Sequence, residues 1–274
     1  MKVAFQGVRG AYSEVAARQY FPESIEPVGY SQSHKVMQAV LSGEADYGML
    51  PVENSIVGTV VVNLDLFFHH DVFAYGETFI RIRHALLSNP ESDLSDIDYV
   101  YSHPVALDQC QDFLKENKIQ PISTYDTAGA AKMIADKKSK NEAAICSVLC
   151  KDYYDLKVLA ENIQNVSDNY TRFFAFSRLD KIPDHAASDK TTIAFQTKHH
   201  PGALVNCLNE FSSKYINLTK IESRPIPNNP FEYIFYVDFQ GSTDSNLVKN
   251  CLENLKNDAK LVKVIGSYHR GERD

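Results

Sequence analysis

Residues 47–55 read YGMLPVENS, a short apolar run followed directly by an acid, an amide and a hydroxyl. The apolar part predicts a buried strand over Tyr47–Leu50, ended by the proline that follows it. Ligands of open α/β sheets bind beyond the carboxyl ends of the strands. We therefore expect Glu53, Asn54 and Ser55 to line a binding cleft, the alternative being that the amide and the hydroxyl only close a turn.

Short apolar strands alternate with amphipathic helices on both sides of this run, over residues 1–178. Repeated β-α-β units predict an open, largely parallel α/β sheet with helices on both faces. A polar, charged segment at 179–189 predicts a linker. Beyond it, residues 190–270 show the order β-α-β-β-α-β, which predicts a second domain of ferredoxin-like fold.

The composition excludes several classes of protein. Of 274 residues, 28 are Lys or Arg and 35 are Asp or Glu, which gives a net charge of −7. Such an acidic chain is a poor general binder of nucleic acid or of anionic membranes. No apolar run reaches the length of about 18 residues that a membrane span needs. Scattered cysteines without an evident leader predict reduced thiols in the cytoplasm.

Two further junctions, at residues 6–14 and 102–110, are rich in polar groups. The first has two glycines and Ser13 at a helix start, where free N–H groups favour anions, although a tight turn alone would explain the glycines. The second contains His103 and Gln109. Ser102 or His103 could simply cap the helix that follows.

The fourth junction is NYTRFF at residues 169–174, where polar groups precede an apolar strand. Arg172 is a natural fork for a carboxylate, or else a charge at the start of a strand. Another helix, Ala128–Lys137, is predicted to be capped by Asp126 or Thr127. Because strand ends meet at one edge of an α/β sheet, we expect the four junctions to converge on one cleft.

No motif for a metal or an organic cofactor accompanies these junctions. The chain lacks H-E-x-x-H and C-x-x-C, and its two His-His pairs, His69-His70 and His199-His200, would point apart. It also lacks the G-x-S-x-G elbow, the P-loop and the dinucleotide-binding fingerprint. We therefore predict neither a cofactor nor a metal.

Taken in order, the junction motifs resemble those of the prephenate dehydratase family. They are G-x-x-G-x-Y-S-E from Gly7, P-V-E-N-S-x-x-G from Pro51, S-H-P-x-A-x-x-Q-C from Ser102 and T-R-F from Thr171. Residues 190–270 resemble the ACT regulatory domain of the same family, through PGAL at 201–204 and NLTKIESRP at 217–225. The resemblance covers essentially the whole chain.

The resemblance implies an α/β fold with a two-lobed catalytic domain, similar to type II periplasmic binding proteins, and a ferredoxin-like ACT domain. One lobe would comprise about residues 1–75 and 165–178, and the other about residues 80–160. Because the first strand begins at residue 2, with no chorismate mutase helix bundle before it, we expect a monofunctional enzyme.

The implied activity is that of a carbon–oxygen lyase without a cofactor: prephenate becomes phenylpyruvate, carbon dioxide and water, in phenylalanine biosynthesis. Thr171 is essential in the family and would hydrogen-bond the leaving hydroxyl or fix a carboxylate. Glu53 is the better acid if burial keeps it protonated, and Asn54 completes the catalytic set. The implied substrate-binding residues are Ser13, Ser55, Gln109, Arg172, His103 and Thr127.

The second domain implies feedback control by L-phenylalanine, bound between paired ACT domains of a homodimer or homotetramer. The residues implied in that site are Gly202, Ala203, Leu204, Asn217, Leu218, Glu222, Ser223 and Arg224. Glu222 and Arg224 could instead take part in cross-strand or surface ion pairs. The family usually has glycine just before Asn217, where this chain has Tyr215-Ile216, which leaves the strength and sign of the response open.

Two other functions stay open at this point. Arogenate dehydratase has the same chemistry on a substrate with an amino group on its side chain. A non-catalytic module that senses an amino acid would have the same fold without turnover, but it has no need of the four polar junctions.

Overall fold

The structure is a computed structural model that describes residues 1–21, 24–183, 187–226 and 232–273. It shows a mixed α/β fold with two β-sheets, which confirms the predicted α/β class. The chain divides into two compact units. Unit 1 comprises Met1–Gly58 and Phe79–Phe173 together with Arg273, and unit 2 comprises Thr59–Thr78 and Phe174–Glu272.

The strands of the described residues are numbered in chain order. They are β1 (Lys2–Gln6), β2 (Glu26–Tyr30), β3 (Tyr47–Asn54), β4 (Gly58–Thr59), β5 (Val72–Arg81), β6 (Ala85–Ser88), β7 (Tyr99–Ser102), β8 (Gln120–Ser123), β9 (Glu142–Cys146), β10 (Lys157–Glu161), β11 (Tyr170–Arg178), β12 (Lys190–Thr197), β13 (Leu218–Pro225), β14 (Tyr233–Gln240) and β15 (Ala259–Tyr268).

The α-helices are numbered in the same way. They are α1 (Tyr12–Tyr20), α2 (Ser33–Ser42), α3 (Val61–His69), α4 (Pro104–Gln109), α5 (Gln111–Glu116), α6 (Thr127–Lys137), α7 (Cys150–Tyr154), α8 (Ala203–Ser212) and α9 (Asn246–Asp258). Among the described residues, none of these helices combines the length and the apolar character that crossing a membrane requires.

Two helix starts resolve alternatives that the sequence left open. Asp126 caps α6, because its carboxylate accepts from the backbone amide three residues further on, and Thr127 is the first residue of the helix. His103 caps α4 through Nδ1, which accepts from the amide two residues on at 3.3 Å. The hydroxyl of Ser102 instead donates to a backbone carbonyl of β9.

Strand β3 does not end at Leu50, as predicted, but continues through Pro51 to Asn54. A proline interrupts a ladder only where a neighbouring strand needs its N–H. The pairing of β3 with β1 reaches only as far as Met49, so β1 needs no hydrogen bond from residue 51, and β3 continues as the neighbour of β11. Glu53 and Asn54 therefore lie on the strand itself rather than on the loop after it.

The predicted helix Val105–Glu116 is two helices, α4 and α5. They are separated at Cys110, whose φ of −116° and ψ of 16° are not helical. The sequence also provided no prediction for β2, α3, β5 and β6. Helix α3 is apolar on most of its faces, so no helical period stands out in its sequence.

Unit 1 contains strands of both sheets. In one, the order is β11-β3-β1-β2, with β1 parallel to both of its neighbours. In the other, the order is β10-β6-β9-β7-β8, where β7 is parallel to β8 and β9 but β6 is antiparallel to β9 and β10. The prediction of a largely parallel sheet is therefore wrong for β6, which runs against its neighbours.

Unit 2 has the predicted element order, β12-α8-β13-β14-α9-β15. Its strands pair antiparallel in the order β13-β14-β12-β15, and β5 lies beside β15. At Gly266 the backbone of β5 comes so close that a Cβ would collide with the carbonyl of Ala74. Helices α8 and α9 enclose an apolar core with one face of the sheet: Ile193, Phe195, Phe211, Val237, Phe239 and Leu255.

Unit 2 also includes Thr59–Thr78, which the predicted boundaries placed in the first domain. Within this segment, Asp65 of α3 accepts from Nε of Arg224 at 3.0 Å and from the hydroxyl of Tyr236 at 2.8 Å. These bonds draw the segment to the C-terminal strands, so the compact units divide the chain differently from the predicted domains. Residues 184–186 of the predicted linker lie outside the described residues.

The cysteines are free and buried, as the sequence predicts: Cys110, Cys146, Cys150, Cys207 and Cys251. Burial raises the pKa of Cys110 to about 12. Since the thiolate is the reactive form of cysteine, such a thiol is inert at neutral pH. The cysteines therefore belong to the packing of the core.

Candidate functional site

Asn54, the last residue of β3, is the centre of the candidate site. Its Nδ2 donates to Oγ1 of Thr171 at 3.0 Å and to Oδ1 of Asn169 at 2.7 Å, at or just before the start of β11. Its Oδ1 accepts from the backbone amides of Ile56 and Val57, at 3.0 and 2.9 Å. The turn after β3 therefore fixes which end of the Asn54 amide faces Thr171.

Gln109 joins this cluster from the last residue of α4. Its Oε1 accepts from Nδ2 of the buried Asn169 at 3.1 Å and lies 2.9 Å from Nε2 of His84. Direct bonds therefore bring together three predicted site residues, Asn54, Thr171 and Gln109, with Asn169 between the amides. We call the set of Asn54, His84, Gln109, Asn169 and Thr171 the amide network.

His84 is the member of the amide network that the sequence did not single out. It directly precedes β6 and is 2% exposed. Because β6 is antiparallel to β9, its first residue, Ala85, lies opposite Cys146 at the end of β9. The start of β6 and the end of β9 therefore lie at the same edge of the sheet, which is the edge where ligands bind. In the sequence, Arg83 and His84 stand before an apolar run, which could have marked them as candidates. They point to the site only once β6 is known to be antiparallel to β9.

His84 is neutral at neutral pH. Burial lowers the pKa of its ring, and the hydrogen bond with Gln109 offsets part of that effect. On its other side, Nδ1 lies 3.3 Å from the hydroxyl of Tyr12. Burial raises the pKa of Tyr12 well above its usual value, so this hydroxyl keeps its proton.

Glu53 and Arg172 form an ion pair, with 3.3 Å between Oε2 and Nη1. The Arg172 side chain is 4% exposed and that of Glu53 is 35% exposed. A buried guanidinium is costly unless an anion is paired with it. The pair therefore joins the ends of β3 and β11, with the Arg172 guanidinium directed at Glu53.

Ser55 ties the turn after β3 to β11. Its hydroxyl accepts from the backbone amide of Tyr170 at 2.9 Å and donates to the carbonyl of Asp168 at 3.3 Å. Its own amide donates to the carbonyl of Tyr170 at 2.8 Å. These bonds hold the two strand ends together.

A cavity of 340 Å³ opens beside the middle of the amide network. Its lining is Gln109, Asn169, Ile56, Val57, Val105, Val166, Asp108 and Asn165. This volume lies in the range of small-molecule sites, about 300–1,000 Å³. Within the described residues, neither Nε2 of Gln109 nor the hydroxyl proton of Thr171 has a hydrogen-bond acceptor. Both are donors left for a ligand.

Three predicted substrate-binding residues lie apart from the amide network. Ser13 is buried in the first turn of α1, and Thr127 is half-buried in the first turn of α6. His103 is exposed and caps α4. In the part of the chain that the structure describes, no hydrogen bond joins any of them to the network, and no group of His, Cys, Asp and Glu side chains is placed to hold a metal.

Of the residues predicted to bind phenylalanine in unit 2, Gly202, Ala203 and Leu204 share one cavity. Gly202 has a φ of +80°, which favours glycine, and it directly precedes α8. The three line a cavity of 600 Å³ with residues 197–201 and Val205. The turn exposes backbone N–H groups at the start of a helix, as an anion site requires.

The β13 residues of that prediction are engaged elsewhere in unit 2. Glu222 accepts from the hydroxyl of Thr59 at 2.9 Å, and Arg224 lies 2.9 Å from the carboxylate of Asp65. Arg224 thus forms an ion pair, which is the alternative that the sequence left open, whereas Glu222 accepts from a hydroxyl. Ser223 is exposed on the opposite side of the strand.

Asn217, just before β13, and Leu218, its first residue, contribute to the sheet and to the core of unit 2. The carbonyl of Asn217 accepts from the amide of Gln240 at 2.9 Å, and Leu218 packs against the apolar core of unit 2. Neither these two residues nor Glu222 and Arg224 are among the described lining of the Gly202 cavity.

Comparison with known proteins places these features in context. The sequence profile of the family described as Prephenate dehydratase matches residues 3–181. A relative from Arabidopsis thaliana, named arogenate dehydratase/prephenate dehydratase 2, chloroplastic, is 39% identical over 277 residues. The match covers 98% of this chain and 72% of the relative.

Two solved structures are similar over nearly the whole chain. One is a prephenate dehydratase from Arthrobacter aurescens in complex with L-Phe, with a TM-score of 0.89 and 31% identity, covering 98% of this chain and 90% of the other. The second is described as a novel type of quorum quenching acylase, with a TM-score of 0.90 and 30% identity, covering 98% of each chain.

Proposed function

The chain belongs to the prephenate dehydratase family, and on that premise we propose that it converts prephenate to phenylpyruvate, carbon dioxide and water. The hydrogen bond from Nδ2 of Asn54 to Oγ1 of Thr171, 3.0 Å long, is the observation that carries this proposal. It determines what the Thr171 hydroxyl offers to a bound molecule.

The reaction needs little more than the departure of two groups. Prephenate loses its ring carboxylate as carbon dioxide, and the electron pair of the broken carbon–carbon bond moves through the ring. The ring then expels the hydroxyl on its opposite carbon, which takes up one proton and leaves as water. The ring becomes aromatic, so no external oxidant or reductant is required.

Thr171 assists the departure of the hydroxyl. Because Asn54 donates to its oxygen, its own proton is left to donate to a ligand. A donor placed at the leaving oxygen stabilises the charge that develops there. A threonine hydroxyl is too weak an acid to release its proton at neutral pH, so we assign it the hydrogen bond and not the proton transfer.

Gln109 binds the substrate through its free amide group, and the cavity beside it suits a substrate that must decarboxylate. Its described lining contains no Lys or Arg. A cation beside the departing carboxylate would stabilise the ground state and work against the loss of charge. Amides and hydroxyls orient a carboxylate without that penalty, which is the proposed role of Gln109, Ser13 and Thr127. Ser55, whose hydroxyl already donates to the carbonyl of Asp168, instead holds the turn after β3 in place.

The remaining predicted site residues act through position. Glu53 and Arg172 hold the ends of β3 and β11 at a fixed distance through their ion pair. His103 caps α4, the helix that carries Gln109 at its other end. A mechanism in which Glu53 is the acid would need its carboxyl to leave the pair with Arg172.

We further propose that residues 190–270 form an ACT regulatory domain that binds L-phenylalanine in a homodimer or homotetramer. The order of strands in unit 2 supports this, as does the complex of the Arthrobacter structure with L-Phe. The catalytic domain would be two lobes like those of a type II periplasmic binding protein, one around each sheet. Free cysteines support a reducing compartment, the cytoplasm.

Arogenate is the second candidate substrate, because the name of the Arabidopsis relative includes both activities. The amide network faces the leaving groups, which prephenate and arogenate share. The distinction between them depends on whatever surrounds the side-chain end of the substrate.

The purified protein is mixed with prephenate and, separately, with arogenate, and phenylpyruvate or phenylalanine is measured with and without added L-phenylalanine. We expect turnover of prephenate that L-phenylalanine suppresses. Turnover of arogenate alone would retain the mechanism and change the substrate. No turnover of either, with a melting temperature that L-phenylalanine raises, would overturn the proposal in favour of a sensing module. Hydrolysis of N-acyl amides serves as the control reaction, given the acylase among the similar structures.

A further inference from the structure

We propose that His84 is a positioning residue for this reaction, which holds Gln109 so that its N–H groups, and not its carbonyl oxygen, are offered to the substrate. The inference rests on the proposed function and deepens it. It follows from the direction of each hydrogen bond in the amide network, taken in order from the main chain.

The orientation of the amide network is set first by the main chain. The backbone amides of Ile56 and Val57 both donate to Oδ1 of Asn54. A backbone N–H is always a donor, so the oxygen of the Asn54 amide is fixed on that side. Its Nδ2 must then face Asn169 and Thr171, and it donates to both.

The next amide inherits this direction. Oδ1 of Asn169 accepts from Asn54 at 2.7 Å, so Nδ2 of Asn169 is the group that faces Gln109, at 3.1 Å. The amide of Gln109 must turn its oxygen towards Asn169, because two N–H groups facing each other would leave both without an acceptor. One bond alone, however, lets the Gln109 amide swing about its last torsion angle, since such terminal torsions are broad.

His84 supplies the second bond that prevents this movement. Its Nε2 lies 2.9 Å from Oε1 of Gln109, the same oxygen that Asn169 approaches. Since that oxygen can only accept, Nε2 carries the proton, and His84 is the Nε2–H tautomer. Two donors from two directions hold the oxygen in place.

The other side of the ring is compatible with this tautomer. The proton of the Tyr12 hydroxyl goes to the carbonyl of Arg83 at 2.6 Å, and Nδ1 of His84 lies 3.3 Å from the same hydroxyl. Nδ1 therefore has only a distant hydroxyl as neighbour, whereas Nε2 has an acceptor at 2.9 Å, the Oε1 atom of Gln109. Burial of the ring disfavours its charged form.

The consequence for the site is a fixed pair of donors. With its oxygen held by Asn169 and His84, Gln109 has no acceptor for either hydrogen of Nε2 among the described residues, and it lines the 340 Å³ cavity. An inverted Gln109 would present a carbonyl oxygen to a substrate that carries two carboxylates, which is repulsive. His84 thus acts on the substrate only through Gln109.

The first test does not depend on turnover. Nitrogen-15 NMR of protein labelled in its histidines distinguishes the two tautomers, and the resonances of His84 are those absent from His84→Gln. We expect the Nε2–H tautomer at neutral pH. The Nδ1–H tautomer, or a rapidly exchanging mixture of both, would overturn the proposal even if the protein were an active prephenate dehydratase.

The second test compares three variants by steady-state kinetics. His84→Leu removes the donor, and we expect kcat/KM to fall by about 10- to 100-fold, since a buried bond of this kind is lost. His84→Gln places an amide nitrogen close to the former Nε2 and should recover most of the loss. His34→Leu, on the exposed face of α2, is the matched control and should leave the kinetics unchanged.

A double mutant separates positioning from a general effect on the fold. If His84 acts through Gln109, then His84→Leu adds little to the loss already caused by Gln109→Leu. Independent, additive losses would overturn the proposal, as would a folded His84→Leu with wild-type kcat/KM. If His84→Leu does not fold, His84→Asn replaces it, because its shorter amide does not reach Gln109. Absence of turnover in the wild type would overturn the proposed function alone and leave the NMR result standing.

Discussion

Units 1 and 2 each bury a chain of polar side chains, and the two chains end differently. The amide network of unit 1 ends at Nε2 of Gln109 and the hydroxyl of Thr171, for which the described residues supply no acceptor. In unit 2, Thr192 donates to Asp238 at 2.6 Å and is also bonded to the hydroxyl of Tyr268. We call these three residues the closed network, because each bond just named ends on another member.

The charged pair of Lys190 and Glu77 shows the same closure in unit 2. Both side chains are buried, Nζ lies 3.2 and 3.0 Å from the two carboxylate oxygens, and the amide of Gly271 donates to Glu77 at 3.0 Å. Burial of polar groups costs free energy unless each is paired. A closed arrangement therefore serves the fold, whereas a network that ends in donors facing a cavity can bind water or a ligand there.

The largest effect is expected where closure involves charge. Lys190→Met leaves the carboxylate of Glu77 buried without its cation, and we expect the free energy of unfolding to fall by about 3–5 kcal/mol. Urea denaturation followed by circular dichroism measures this. The double variant Lys190→Met/Glu77→Leu should recover much of the loss. A loss below about 1 kcal/mol in the single variant would show that the pair is not the closed element described here.

A matched pair of threonines tests the difference between the two networks directly. Thr171→Val should lower kcat by about 10²- to 10³-fold, as the loss of one donor to a developing charge does, with little change in melting temperature. Thr192→Val should do the reverse, lowering the free energy of unfolding by about 1–3 kcal/mol because the buried Asp238 loses the hydrogen bond that Thr192 donates. The comparison fails if Thr171→Val costs stability and spares turnover.

The smallest effect is expected at the half-exposed pair of Arg224 and Asp65, whose side chains are 39% and 23% exposed. Arg224→Gln should lower the free energy of unfolding by about 0.5–1 kcal/mol, since solvent screens such pairs. Tyr236→Phe removes the neutral bond to the same carboxylate and serves as the control. If Arg224 also binds the effector, Arg224→Gln would in addition weaken inhibition by L-phenylalanine, which an assay with added L-phenylalanine detects.

The rule that ligands bind at strand ends predicted much of the site from the sequence. The rule selected the junctions that contain Asn54 and Gln109, the family resemblance added Thr171, and the structure connects the three residues through hydrogen bonds. Neither the rule nor the resemblance selected His84, because no strand was predicted after it. The antiparallel direction of β6 brings its start to the same edge as the end of β9, and a direction of pairing is a tertiary property that no local pattern contains.

The limits of the fold prediction have the same origin. The order of elements in unit 2 follows from hydrophobic periodicity, which is local, and the structure has the predicted order. The position of α3 does not follow from a local pattern. It depends on hydrogen bonds from Arg224 and Tyr236 to Asp65, and these residues lie about 160 and 170 positions further along the chain. Likewise, a proline read from the sequence alone predicts the end of a strand. Here β3 continues through Pro51, because its pairing with β1 already ends at Met49.

The buried cysteines have a practical consequence. Cys110, Cys146 and Cys150 lie in unit 1, and Cys207 and Cys251 lie in unit 2. A thiol reagent therefore reaches each of them only when the surrounding structure opens. Timed alkylation followed by peptide mass spectrometry would read the opening of each unit separately, with no label introduced. For the same reason, a single cysteine added to the surface would be the preferred target of a fluorescent probe.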